Sequence, residues 1–178
     1  MRLLVLGGTH FLGRAVVSAA LERRWDVTVF RRGISGVDPA DVLSLRGDYS
    51  DPRDVARLAD HGPWDAVVDT LAYVPRETST VARVLRNHVQ RYVVVSSVSA
   101  YRGWPLEPLT EASPVLDCPP DAGPGYGHDG DPGPSTYGFG KAGSSRPAHP
   151  TGRFSRSTCG TWRSSRCAAP RGSRGCST

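Results

Sequence analysis

Long apolar runs are missing from this chain: none exceeds the four residues Leu3 to Leu6. A secretory signal needs roughly 7–15 consecutive apolar residues and a membrane-spanning helix about 18 or more. The expectation is therefore a soluble, cytoplasmic protein with no membrane contact. Cysteine is scarce. Cys118, Cys159, Cys167 and Cys176 lack the close pairing of a zinc site, and a cytoplasmic setting disfavours disulfides, so they read as unpaired thiols with no metal held. Acidic residues are missing from one end only. Residues 142–178 carry seven Arg and no Asp or Glu, whereas residues 1–141 carry 15 basic and 17 acidic residues. The net charge of +5 thus comes entirely from the tail, which argues against a body built as a basic nucleic-acid binder.

A chain of 178 residues suffices for one domain with a real core. Arg2–Leu6 is a short apolar run ending at Gly7-Gly8, as expected of a strand buried on both faces. From Phe11 to Arg23, apolar residues at Phe11, Leu12, Ala15, Val16, Ala19, Ala20 and Leu21 have helical spacing. Further strands are expected at Val27–Phe30, Val42–Leu45, Ala66–Val68 and Tyr92–Val95. Helices are expected from Asp51, as cap, to Leu58 and across residues 76–88. Alternating strands and helices imply a Rossmann-type, doubly wound parallel sheet of order 3-2-1-4-5 in one domain spanning residues 1–142. Residues 102–134 hold eight Pro and six Gly and show no periodicity, the mark of a long functional or disordered loop. Helical signals return at Ser135–Ala142.

The string Gly7-Gly8-Thr9-His10-Phe11-Leu12-Gly13 joins the first strand to the first helix. Gly7 permits a sharp turn, Gly13 a close helix–sheet approach, and the helix N-terminus offers free N–H groups to a pyrophosphate. At the end of the second strand stands Arg31-Arg32-Gly33, with no acid to accept the ribose hydroxyls of NAD. Arginine forks suit the 2′-phosphate of NADP, so NADP is favoured over NAD, the alternative being two surface arginines beside an NAD site. Asp48 after the third strand is either a plain turn residue or, as the family resemblance given next implies, an adenine-side residue. Leu71 and Ala72, after the fourth strand, complete the expected cofactor-binding set.

These residues resemble the short-chain dehydrogenase/reductase superfamily, most closely its extended branch of NAD-dependent epimerases and dehydratases. That branch has a Gly-x-x-Gly-x-x-Gly loop, matched at Gly7 and Gly13, with His10 in place of the middle glycine. The GGTxFLG form is similar to an atypical subgroup that includes bacterial reductases and chloroplast stem-loop RNA-binding proteins. The resemblance continues in Ser96-Ser97-Val98-Ser99-Ala100-Tyr101 and in Tyr137-Gly138-Phe139-Gly140-Lys141. It implies Ser97 as the catalytic serine, with Ser96 and Ser99 as fallbacks, and Tyr137 and Lys141 as the proton-transfer pair. Tyr and Lys four apart share one helix face. A phenol with a pKa of about 10 needs an adjacent ammonium to act as a base near neutrality. The implied activity is that of an NAD(P)-dependent oxidoreductase or a sugar-nucleotide epimerase/dehydratase on a small-molecule substrate that the sequence does not name.

The resemblance stops at residue 142. From Gly143 onward there is no Leu, Ile, Val, Met, Asp, Glu or Lys. Residues 143–178 therefore read as a disordered basic tail, in the vocabulary of a GC-rich gene translated out of frame. The expected consequence is a truncated chain that binds cofactor but turns over poorly. The alternative is an RNA- or nucleic-acid-binding protein on a dinucleotide-binding scaffold, with the tail neutralising phosphates non-specifically.

Overall fold

A computed structural model describes residues 1–34, 41–127 and 136–146, and the backbone of 154–157 and 161–164. Five strands form a parallel sheet: β1 (Arg2–Leu6), β2 (Asp26–Arg31), β3 (Leu43–Arg46), β4 (Trp64–Asp69) and β5 (Val89–Val94). They lie in the order β3-β2-β1-β4-β5, as the strand–helix alternation implies. Four helices accompany them: α1 (Phe11–Glu22), α2 (Pro52–Asp60), α3 (Pro75–Leu85) and α4 (Thr136–Ser144). Among the described residues, no helix is long and apolar enough to cross a membrane.

Period-two alternation splits β1 between two cores. Leu3 and Val5 pack with Val27, Val29, Val17 and Ala20 under α1. Leu4 and Leu6 pack with Phe30, Val67, Val55, Leu58, Val81 and Leu85 under α2 and α3. Helix α2 starts as its sequence requires: Asp51 Oδ1 accepts from the Arg53 N–H at 2.8 Å, and Pro52 occupies the first helical position.

Not every apolar residue with helical spacing on α1 is buried: Phe11 is 93% exposed and Leu12 41%. The buried line is Gly13, Val17 and Ala20. The cause is the close approach at Gly13, where a Cβ would stand 2.7 Å from the Gly8 nitrogen, which turns that side of the helix inward. The third strand also runs one residue later than expected, reaching Arg46 before Gly47-Asp48.

The described part of the long Pro/Gly segment packs against the domain. Tyr101 bridges Val115, and Leu116, Cys118 and Ala122 join Ala100 and Ala142 in a small third core. Helix α4 continues to Ser144, with Gly143 and Ser144 buried. Beyond it, β6 (Phe154–Ser157) and β7 (Thr161–Ser164) extend the sheet, β7 running antiparallel to β5. The sequence, without periodicity there, announced neither strand. The rest of the expected disordered tail, including Cys159, Cys167 and Cys176, lies outside the described residues.

Candidate cofactor and proton-transfer site

At the carboxyl ends of β1, β2 and β3 lies a cavity of about 370 Å³, where open α/β sheets place their ligands. Of the residues expected to bind a cofactor, Gly7, Thr9, His10, Arg31, Arg32, Asp48 and Leu71 line it. Gly8, Phe11, Leu12, Gly13 and Ala72 do not. Gly8 is wedged between Val29 and Val17, Gly13 packs on Gly8, and Ala72 is fully buried in the larger core.

The chain turns at Gly7 and Gly8 with φ of +103° and +109°, a region that favours glycine. His10 precedes α1 in extended conformation and makes no side-chain cap, and the first turn of α1 holds no acid. The N-terminal amides of α1 therefore keep the positive end of the helix dipole uncompensated by local carboxylates.

Charge on the far wall is mixed. Arg31 is buried at the end of β2 and Arg32 is exposed beside it. Asp48 accepts from the Ser50 N–H at 2.8 Å and the Ser50 hydroxyl at 2.7 Å. Those two bonds hold its carboxyl below the usual range, and the Arg32 charge adds to them. Glu77, on the first turn of α3, also lines the cavity. Burial pushes its carboxyl up, and Asp48 pushes the same way.

Ser97, Tyr137 and Lys141 are not part of the cavity lining. Ser97 caps the short 3-10 turn Val98–Ala100, its hydroxyl accepting from the Ser99 N–H at 3.2 Å. Ser96 Oγ accepts from the Ser145 hydroxyl at 2.8 Å. Tyr137 is half-exposed, and Lys141 one turn later is 2% exposed. The Lys141 ammonium donates to the Val95 carbonyl at 3.1 Å and lies 5.8 Å from the centre of the Tyr137 ring. Burial lowers its pKa, and Asp69 opposes that shift.

Two side chains that the sequence did not single out tie these parts together. Tyr73 lines the cavity, places its ring 4.2 Å below the Lys141 ammonium, and meets the Tyr137 ring at 6.2 Å between centroids. Asp69, fully buried at the end of β4, accepts from Tyr49 at 2.6 Å, Tyr92 at 2.5 Å and the Leu71 N–H at 2.8 Å. The available signals were position alone: a carboxylate ending an apolar strand, and an aromatic four residues on, both at the ligand-binding edge.

Small residues let α4 dock. A Cβ on Gly138 would collide with the Ser99 carbonyl oxygen, and one on Gly140 with that of Tyr73. Gly138→Ala is therefore expected to push α4 from the serine segment and cost about 1–3 kcal/mol. Chemical denaturation would show it as a lowered midpoint at unchanged slope. Wild-type stability in that variant would remove the tight docking from the account.

The sequence model of the NAD dependent epimerase/dehydratase family matches residues 3–122. Among curated proteins, 2'-dehydrokanamycin reductase of Streptomyces kanamyceticus is 34% identical over 114 residues, which is 64% of this chain and 32% of that protein. Among solved structures, the Bordetella bronchiseptica enzyme WbmG in complex with NAD and UDP aligns with a TM-score of 0.63 at 19% identity. The alignment covers 82% of this chain and 48% of that one. UDP-glucose 4-epimerase of Thermus thermophilus in complex with NAD aligns with a TM-score of 0.62 at 20% identity, covering 82% and 49%. These structural likenesses show the Rossmann-like fold. The chain spans about a third of the curated relative and about half of the solved ones.

Proposed function

Because the chain belongs to the NAD dependent epimerase/dehydratase family, we propose that it binds a nicotinamide dinucleotide and carries the proton-transfer half of a carbonyl/alcohol oxidoreduction. The observation that carries this reading is the cavity between the Gly7–Gly13 turn and the ends of β2 and β3, bounded by a helix start without acids. The residues fit the group. Gly7 and Gly8 keep the turn free of side chains, and the α1 amides suit a pyrophosphate. Arg31 and Arg32 line the same cavity, and arginine forks suit a ribose 2′-phosphate, which supports NADP over NAD.

The cofactor, when bound, supplies or takes up the hydride. The chain's own residues handle the proton. Tyr137 exchanges it with the substrate oxygen, and the Lys141 ammonium stands 5.8 Å from the centre of its ring. Ser97 hydrogen-bonds the same oxygen in this reading, as the family resemblance implies. The relatives named above act as a reductase and an epimerase, and this site supports a small hydroxyl- or carbonyl-bearing substrate of that class. Cofactor binding is therefore expected of this chain.

Fluorescence titration of the purified chain with NADPH and NADH tests the proposal. Tighter binding of NADPH, with the preference lost in Arg32→Ala, is the expected result. A preference for NADH that survives this substitution would overturn the NADP assignment. Absence of binding to either would overturn the dinucleotide reading itself.

A further inference from the structure

Lys141 is the single lysine among 178 residues, and it is 2% exposed. Burying an ammonium is costly unless its charge is compensated. One compensating group is the Val95 carbonyl, to which it donates. Two further groups act on it.

On the cavity side, the Tyr73 ring lies 4.2 Å from the ammonium, well within cation–π range. This ring is anchored at its backbone. The Tyr73 N–H donates to the Leu71 carbonyl at 2.8 Å, and the Tyr73 carbonyl packs against Gly140 of α4. On the interior side, Asp69 and Lys141 meet at Val95. The Val95 N–H donates to the Asp69 carbonyl at 2.9 Å, while the Val95 carbonyl accepts from Lys141. The Asp69 carboxylate is itself fixed by the Tyr49 and Tyr92 hydroxyls. Tyr49 leads on through Thr78, whose hydroxyl donates to Ser144 of α4 at 3.2 Å. The polar chain beneath Lys141 therefore ends on the helix that carries it.

We propose that Tyr73 and Asp69 are positioning residues that hold the Lys141 ammonium from two sides, between the dinucleotide cavity and Tyr137. This deepens the functional reading above and rests on its assignment of Tyr137 and Lys141 as the proton-transfer pair. Tyr73 supplies an apolar, electron-rich face that binds the cation without quenching it by ion pairing. Asp69 supplies the negative charge, held back from direct contact by its bonds to the two phenols. The ammonium is thus available to the phenol of Tyr137 and not consumed by a salt bridge. The titratable groups that act on it are Asp69 from β4, Tyr73, and Tyr137 on its own helix, with Tyr49 from the loop after β3 and Tyr92 from β5 bonded to Asp69. Burial and the Asp69 charge push Tyr49 and Tyr92 far above the usual phenol range, so neither competes for the negative charge near neutrality.

A single lysine makes the test direct. The full chain is labelled with lysine carrying 13C at Cε and 15N at Nζ, and the one resonance is titrated without dinucleotide. Tyr73→Leu is expected to lower the Lys141 pKa by about half a unit. Tyr73→Phe, which keeps the ring, is expected to restore it. Asp69→Asn is expected to lower it by about one unit or more. Should Asp69→Asn fail to fold, the Tyr73 pair decides alone, since Tyr73 is 53% exposed. Titrations of Tyr73→Leu and Tyr73→Phe that superimpose on wild type would overturn the proposal, because a merely structural role leaves the lysine unmoved. NADPH titration of the same samples keeps the two readings apart. Failure to bind NADPH counts against the functional reading, whereas an unmoved lysine resonance counts against the positioning residues.

Discussion

Gly7→Ala is expected to lower dinucleotide affinity by more than about tenfold and to destabilise the chain by about 2–4 kcal/mol. Two independent causes act at this position. The backbone sits at φ +103°, where a side chain is strained whatever the space around it. The added methyl would also collide with the Thr70 hydroxyl. That hydroxyl donates to the Leu6 carbonyl at 2.7 Å, beside the Thr70 N–H bond to the same oxygen at 3.0 Å. Displacing Thr70 therefore loosens the junction of β1 with β4 as well as the turn. The two causes separate experimentally. In the double variant Gly7→Ala/Thr70→Ala the collision is gone but the strain remains, so stability should recover in part and affinity should stay low. Full recovery of both would mean that the turn geometry is immaterial to binding. NADPH titration alongside urea denaturation measures the two quantities on one sample.

Asp69→Ala carries the largest expected loss of stability, about 3–5 kcal/mol. Its carboxylate accepts three hydrogen bonds with no exposure to water, from Tyr49, Tyr92 and Leu71. Alanine leaves two buried phenols and an amide searching for acceptors, and leaves Lys141 without its counter-charge. Asp69→Asn keeps an acceptor and should cost much less. Burial pushes the Asp69 carboxyl up, opposed by the two phenols, the Leu71 amide and Lys141. A folded pKa above the unfolded value of about 3.9 means that the native state binds the extra proton between those two values. The stability contributed is then complete below about 3.9 and declines as pH rises through the folded pKa. Lys141 is shifted the other way, so its contribution grows as pH rises through its folded pKa toward about 10.4. Asn at position 69 abolishes the carboxyl titration. The stability of Asp69→Asn relative to wild type should therefore improve as pH is raised from about 4 to about 7. Denaturation midpoints across that range check the sign. A difference that worsens with rising pH would contradict the burial-dominated account of Asp69.

The five parallel strands were legible because their apolar runs are short, β-branched and punctuated by Gly and Pro, which fixes both type and length. The glycine turn was legible from its place between β1 and α1. Tyr137 and Lys141 were singled out through the family resemblance, and the structure puts the lysine near the rings of both Tyr137 and Tyr73. The inward side of α1 was not legible. An apolar Phe11 counts toward a helical stripe in any pattern, whereas the side that turns inward is set by the Gly13–Gly8 contact, a tertiary fact. Tyr73 and Asp69 escaped for the same reason. Nothing in the string Asp69-Thr70-Leu71-Ala72-Tyr73 marks a residue whose partner lies 68 positions later on another helix, and only the folded chain joins them.

The claim on which the rest depends is that the cavity over the Gly7–Gly13 turn receives a nicotinamide dinucleotide. Amide shift mapping of the 15N-labelled chain during titration with NADP+ tests it most directly. The account expects saturable shifts at Gly7 through Leu12, at Arg32, Asp48 and Leu71, and at Tyr73, with residues of α2 distant from the cavity unmoved. Shifts confined to other surfaces, or none at saturating nucleotide, would contradict it.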